Sequence, residues 1–364
     1  MSGGAPYSWH SLFSGKPGAP FIALRTLKKD GGDFLVLPLE ARLAVRSLSL
    51  YPAQTSLARI ARKIFSLALL CKLPLPLEMT RVRIKPDAPF EGFLTRLTGS
   101  ANFPAIAILC GNVRTAGRRF VLLVFDEAGN PAVVVKAGLG TDAEELIERE
   151  IAFLNTAPAG IPAIPKVRNA LESDGIRCLA LDFVDGVSPP DSWPLGEVLT
   201  AWLHKGAAIP IESFPVWRKL ALNCASQPVF NWTADRLAGR LIRPAIQHGD
   251  FAPWNIKLSR DGSCTVLDWE RGEVRGLPAW DWFHYVIQTG ILVGRLSMDQ
   301  LICRVDAMLS SSSFKEYARH AEIEGCTEEL LLAYLLYCVG ILKPADSFES
   351  TRALLEALWD RVKK

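Results

Sequence analysis

No two of the eight cysteines are spaced as C-x-x-C, and most of them sit in apolar runs. Cys71, Cys110, Cys178, Cys224, Cys264, Cys303, Cys326 and Cys338 therefore fit neither a zinc site nor a disulfide framework. Reduced, mostly buried thiols in a cytoplasmic protein are the simple reading. Charge of one sign is also scarce. The chain has 41 Lys and Arg against 38 Asp and Glu, a net charge of +3, which gives no hint of a nucleic-acid partner. The longest apolar run, 330–342, is too short to span a bilayer comfortably and is expected to form a buried helix. The opening MSGGAPYSWHSLFSGKPGAP has no basic stretch followed by an apolar one, so no signal peptide is expected. Internal repeats, low-complexity tracts and the G-x-G-x-x-G pattern are absent as well.

What the chain does have is length and apolar mass. At 364 residues and 49% hydrophobic, it argues against disorder and allows two lobes, each with its own core. Residues 1–98 form an N-terminal extension without an assigned role, packing on the next lobe or mediating dimerisation. Apolar Leu57, Ile60, Ile64, Leu67 and Leu70 predict a helix over 55–72, which the Pro-rich CKLPLPLEM breaks. A mild basic cluster from Arg59 to Lys85 is taken as a solvated face. Residues 99–184 have the texture of strands. Runs at 105–109, 120–125 and 132–137 are followed by a helix over 142–155 and by strands near 166–170 and 177–183. From 185 to 364 the pattern is mainly helical, apart from a hairpin-like region over 255–270. The order is α+β: a β-rich lobe, then a helical one, joined near 182–186.

The most informative stretch is Q-H-G-D-F-A-P-W-N-I, residues 247–256, followed by T-V-L-D-W-E at 265–270. Phosphoryl transfer from a nucleotide needs a carboxylate to orient the attacking hydroxyl and oxygen ligands to hold Mg²⁺ on the phosphates. Asp250 and Asn255 are five apart on one compact loop, the Asp–Asn spacing of a kinase catalytic loop. Asp268 follows an apolar strand, which places it on a fixed element. Asn255 and Asp268 offer the hard oxygens that Mg²⁺ prefers.

HGDFAPWNI with LDWE resembles the H-G-D-x-x-x-x-N and D-W-E pair of the aminoglycoside phosphotransferase and choline kinase-like superfamily, over about 104–288. That resemblance implies a bilobal protein-kinase-like fold. It implies Asp250 as catalytic base, Asn255 and Asp268 as Mg²⁺ ligands, and His248 as a support of the loop. Glu270 would assist the metal shell. In G-L-P-A-W-D, residues 276–281, Asp281 would be structural and hold the catalytic loop. The same texture resembles uncharacterised phosphotransferase-like proteins associated with bacterial glycan biosynthesis, which favours a sugar or glycan hydroxyl as acceptor.

For the nucleotide, Lys136 at the end of V-V-V-K resembles the β3 lysine of kinases. Its expected partner is a Glu on the following helix. Glu150 is preferred, with Glu144, Glu145 and Glu148 competing. Gly111 and Asn112, in C-G-N-V-R-T-A-G-R-R, are candidates for a loop whose backbone approaches phosphates; a plain hairpin loop is the alternative. Val184 is the candidate for a backbone contact to the base. ATP and GTP both remain open as co-substrate.

The acceptor pocket has little signature. Trp193, Trp202, Trp217 and Trp232 suit core packing better than stacking on a sugar. The expected activity is Mg²⁺-dependent transfer of a γ-phosphoryl group to a hydroxyl of a sugar, aminoglycoside or amino alcohol. A pseudokinase that binds nucleotide or a partner without chemistry is the competing reading. A protein kinase fits less well, because D-F-G and A-P-E segments are lacking.

Overall fold

A computed structural model describes residues 7–51, 56–111, 117–173 and 175–363. The chain divides into two compact units. One holds the chain up to Asn155 together with Pro165–Val184, and the other holds Thr156–Ile164 and Asp185–Lys364.

The first unit is built on an antiparallel sheet of eight strands among the described residues. They are β1 (Phe21–Lys29), β2 (Gly32–Pro38), β3 (Leu77–Arg83), β4 (Ile106–Leu109), β5 (Arg119–Phe125), β6 (Pro131–Leu139), β7 (Val167–Ser173) and β8 (Ile176–Asp182). Their order across the sheet is β3-β1-β2-β4-β5-β6-β8-β7. Strands from the first 98 residues and strands after them thus share one sheet, joined where β2 pairs with β4 through Leu35–Leu109 and Val36–Ile108. The strands β1 to β3 carry few aromatics or β-branched runs, and only the finished sheet makes their pattern clear.

Both faces of this sheet are covered, which is why β5 and β6 are apolar almost throughout. On one face, Leu122, Val124, Val133, Val135 and Ala137 pack with Phe90, Phe93, Leu94 and Leu97 of helix α3 (Pro89–Thr98). On the other, Leu35 and Leu37 pack with Ala44, Leu48 and Leu69, from or next to helices α1 (Ala41–Ser47) and α2 (Ser56–Leu70). Helix α4 (Thr141–Thr156) follows β6 and loads its first turn with Asp142 and Glu144, as suits the positive end of a helix dipole.

The second unit is mainly helical. Its helices are α5 (Leu195–Ala201), α6 (Pro215–Cys224), α7 (Pro228–Leu237), α8 (Trp280–Gln288), α9 (Met298–Ser310), α10 (Ser312–His320), α11 (Thr327–Tyr337) and α12 (Phe348–Val362). All nine residues of α8 are buried. Helix α11, which overlaps the longest apolar run, is buried from Leu330 to Leu336. Trp280 and Phe283 of α8 meet Tyr334 of α11 at ring separations of 5.8 and 6.0 Å. Short strand pairs complete the unit: β9 (Ile209–Pro210) with β10 (Leu241–Ile242), β11 (Ala245–Gln247) with β14 (Glu273–Gly276), and β12 (Ile256–Leu258) with β13 (Cys264–Val266). The 247–255 loop runs between β11 and β12, with α8 beneath it.

Candidate active site

The loop after β11 is anchored from below. The backbone N–H groups of His248 and Gly249 donate to Asp281 Oδ2 and Oδ1 at 2.6 and 2.9 Å. Asp281 lies in the first turn of α8, so one carboxylate fixes two successive peptide groups to a buried helix. Burial pushes the Asp281 carboxyl up; the two N–H bonds bring it only partway back. Helix α8 is capped by Ala279, whose φ of 67° is left-handed, and the Ala279 N–H donates to the Tyr317 hydroxyl at 2.9 Å.

Gly249 is required where it stands. Its φ is 77°, and a Cβ there would approach the Arg271 Cβ to 2.9 Å and its carbonyl oxygen to 3.0 Å. The loop is next tied across to β13. His248 is wholly buried; its Nδ1 accepts from the Asp250 N–H at 3.1 Å and its Nε2 lies 2.9 Å from the Leu267 carbonyl oxygen. Those partners define the tautomer with the proton on Nε2. The Leu267 N–H in turn donates to the Asn255 carbonyl at 2.7 Å. The residue directly before Asp268 is therefore bonded to both ends of the 248–255 loop.

Asp250 is where these contacts converge. Asn255 Nδ2 donates to the Asp250 carbonyl at 2.9 Å and to its Oδ2 at 3.1 Å. His284 Nε2, from α8, lies 3.0 Å from Asp250 Oδ1. The far nitrogen of that ring, Nδ1, lies 3.0 Å from the buried Tyr334 hydroxyl. Burial pushes the Asp250 carboxyl up, but the hydrogen bond from His284 and the nearby Arg271 charge outweigh it and hold the group below its ordinary value. The side chain keeps 31% of its surface open, so a reactant can reach it.

The donor set suits Mg²⁺. Both contacts of the Asn255 amide nitrogen point at Asp250, which turns Asn255 Oδ1 away as the oxygen left for a cation. Asp268 is half-buried with φ 73°, a left-handed conformation that Asp tolerates. Among the described residues no group of three His, Cys, Asp or Glu side chains forms a metal cage. Mg²⁺ does not need one, since it keeps waters and takes one or two protein oxygens plus phosphate. Glu270 is half-buried beside Trp269, whose Nε1 donates to the Val266 carbonyl at 2.8 Å.

In the β-rich unit, Lys136 Nζ lies 2.7 and 2.6 Å from the two carboxylate oxygens of Glu150. The period of two along β6 sends Val133, Val135 and Ala137 into the α3-side core and Lys136 to the other face. Glu150 is fully buried. The competing acids are engaged elsewhere or nearer the surface: Glu148 pairs with Arg177, Glu145 lies 3.3 Å from Arg149, and Glu144 sits half-buried in the first turn. Gly111 has φ 65°, and a Cβ would come within 2.9 Å of the Arg119 carbonyl oxygen. Asn112 lies outside the described residues. Val184 is half-buried just after Phe183, whose N–H donates to the Ala132 carbonyl at 3.0 Å.

Among the tryptophans, Trp202 and Trp217 are buried core, and Trp232 packs on Trp359. Trp193 alone of the four lines a groove of about 1050 Å³ in the helical unit, with Asp191, Glu197, Trp282, Arg304 and Tyr317. Sequence reasoning missed His284 and Tyr334. The signal for His284 was a second polar residue, after Asp281, inside W-D-W-F-H-Y-V-I, a helix buried on every face.

No protein-family model and no curated protein matches the chain. Solved structures do. Over 74% of its length the chain is similar to 98% of a thermostable mutant of aminoglycoside phosphotransferase APH(4)-Ia in ternary complex with ADP and hygromycin B, at 15% identity and TM-score 0.46. It is similar to an aminoglycoside phosphotransferase of Streptomyces rimosus at 17% identity and TM-score 0.40, covering 67% of this chain and 96% of that one. A choline kinase of Cryptosporidium parvum is similar at 11% identity and TM-score 0.39, over 71% of this chain and 89% of that one. The structures to which the chain is similar here are those of small-molecule phosphotransferases and kinases.

Proposed function

We propose that the protein is a small-molecule kinase, moving the γ-phosphoryl group of ATP or GTP to a hydroxyl of a sugar, aminoglycoside or amino alcohol. The observation that carries this reading is the Asp250 carboxylate. It is held at one oxygen by Asn255 and at the other by His284, on a loop pinned by Asp281 and His248.

In this mechanism Asp250 takes the proton of the acceptor hydroxyl as its oxygen bonds to the γ-phosphorus and the bond to the leaving diphosphate breaks. Its lowered pKa keeps it a carboxylate at neutral pH, ready to accept that hydrogen bond. Asn255 and Asp268 would hold Mg²⁺, which would supply positive charge to the phosphate oxygens. Lys136, oriented by Glu150, supplies a cation for the nucleotide phosphates. Gly111, Asn112 and Val184 are the proposed backbone contacts to the nucleotide, and Glu270 supports the metal ligands.

The test is a nucleotide-consumption screen against a panel of sugars, aminoglycosides and amino alcohols, with and without Mg²⁺. Mg²⁺-dependent turnover that is lost in Asp250→Ala is the expected result. Full turnover in that variant overturns the role of Asp250. Stabilisation by nucleotide and Mg²⁺ without turnover on any acceptor overturns the catalytic reading.

A further inference from the structure

Helix α2 is apolar on two sides. Its inner side packs into the β-rich unit through buried Ala68 and Leu69 and half-buried Phe65. On the outer side Leu57, Ile60, Ile64 and Leu67 are 79, 54, 65 and 62% exposed. Their spacing of three and four residues makes one continuous exposed stripe along the helix. Four large aliphatic side chains in line on one exposed helix face are more than the scattered surface residues of an ordinary monomer.

The charge around the stripe has one sign. Between 56 and 72 the chain carries Arg59, Arg62, Lys63 and Lys72 and no Asp or Glu. Over 56–85, Arg81, Arg83 and Lys85 raise the basic residues to seven, against Glu78 alone. A net charge of +6 in thirty residues exceeds the +3 of the whole chain. Where α2 ends, a groove of about 660 Å³ opens, lined by Leu73, Leu75 and Met79 together with Arg25, Arg42 and Lys72. Glu40 is the one acid on its wall. Apolar floor and cationic rim recur there beside the stripe.

We propose that this face docks on an anionic phospholipid surface, with the stripe of α2 at the acyl boundary and the flanking cations at the headgroup phosphates. The charge pattern selects this occupant over a second copy of the chain. Two α2 stripes packed together would bring Lys63 and its basic neighbours toward one another, with no acid on either helix to pair with them. A lipid surface offers negative charge to these cations and accepts the aliphatic side chains at the same time.

The full chain is mixed with vesicles of phosphatidylcholine alone or of phosphatidylcholine and phosphatidylglycerol in equal parts, and sedimented. The protein should pellet with the anionic vesicles, weakly with the neutral ones, and be released by salt. The double substitution Ile60→Asp, Ile64→Asp should abolish pelleting with an unchanged Tm, because both side chains point outward. Lys63→Glu with Lys72→Glu should lower partitioning by at least roughly tenfold, each cation near such a surface being worth about fivefold. No pelleting on anionic vesicles, or pelleting unchanged in the Ile60, Ile64 variant, overturns the proposal. So does a lipid-free dimer in light scattering that Ile64→Asp splits, which would assign the stripe to a second copy.

Discussion

His284 Nε2 lies 3.0 Å from Asp250 Oδ1, and Nδ1 of the same ring lies 3.0 Å from the Tyr334 hydroxyl. The tautomer that satisfies both contacts carries its proton on Nε2, donates it to the carboxylate, and accepts from the tyrosine. Tyr334 is thereby placed to hold His284, and His284 to hold the rotamer of Asp250. A hydrogen bond to a charged group contributes about 1.5–3 kcal/mol. His284→Ala should therefore lower kcat by roughly 10- to 100-fold, leave the KM for nucleotide little changed, and recover in part in His284→Gln, whose amide can donate at a similar reach. Steady-state kinetics of the three proteins check this. A His284→Ala enzyme with wild-type kcat would show that Asn255 alone orients Asp250.

Asp281→Asn changes one atom of a buried carboxylate that accepts two N–H groups. An amide has one acceptor oxygen, so one of the His248 and Gly249 N–H groups would face an NH₂. The expected cost is about 1–3 kcal/mol for the orphaned donor, read in urea unfolding at neutral pH. The pH dependence has a defined sign. The Asp281 carboxyl is raised in the folded protein from its ordinary 3.8, so the folded state binds this proton more tightly than the unfolded chain does. Its contribution is full below 3.8 and is lost as pH climbs through the raised folded value. Asp281→Asn should remove that part of the decline in stability with rising pH.

Lys136 and Glu150 must be separated by a pair of substitutions rather than one. Glu150 is fully buried, and its charge is met by Lys136 at 2.6 Å. Removing the lysine alone leaves a buried carboxylate and costs about 3–5 kcal/mol, so a dead Lys136→Ala enzyme would say little about nucleotide. The double variant Lys136→Met, Glu150→Gln removes both charges and should keep most of the Tm. It should also weaken nucleotide binding by at least tenfold in a fluorescent-nucleotide titration, a loss of about 1.4 kcal/mol. Wild-type affinity in a folded double variant would exclude Lys136 from the phosphate site.

What sequence could reveal follows the range of each interaction. The 248–255 loop, the strand before Asp268 and the helix carrying Asp281 are local patterns, and their residues meet within the helical unit. Lys136 and Glu150 lie on successive elements, so a strand period and a helix period are enough to pair them. His284 and Tyr334 are different: their partners are 34 and 50 residues away, and only the packing of α8 against α11 joins them. The strands β1 to β3 stayed unrecognised for a similar reason. Phe21–Lys29 pairs with Leu77–Arg83 across a long separation, and neither segment alternates cleanly enough to be read alone.

The cysteines give a test of the packing that needs no substrate. Cys71 and Cys303 are exposed, whereas Cys110, Cys178, Cys224, Cys326 and Cys338 are buried. Burial pushes the Cys110 and Cys338 thiols up to about 12 and those of Cys326 and Cys264 to about 11. Since the thiolate is the reactive form, those groups are protected by protonation, and all but the half-buried Cys264 by access as well. A chromogenic disulfide reagent at mildly alkaline pH should titrate two thiols rapidly in the native protein and all eight after unfolding in guanidinium. Peptide mapping should place the fast label on Cys71 and Cys303. A fast third site at Cys338 would mean that the end of α11 opens readily, and with it the support that Tyr334 gives to His284.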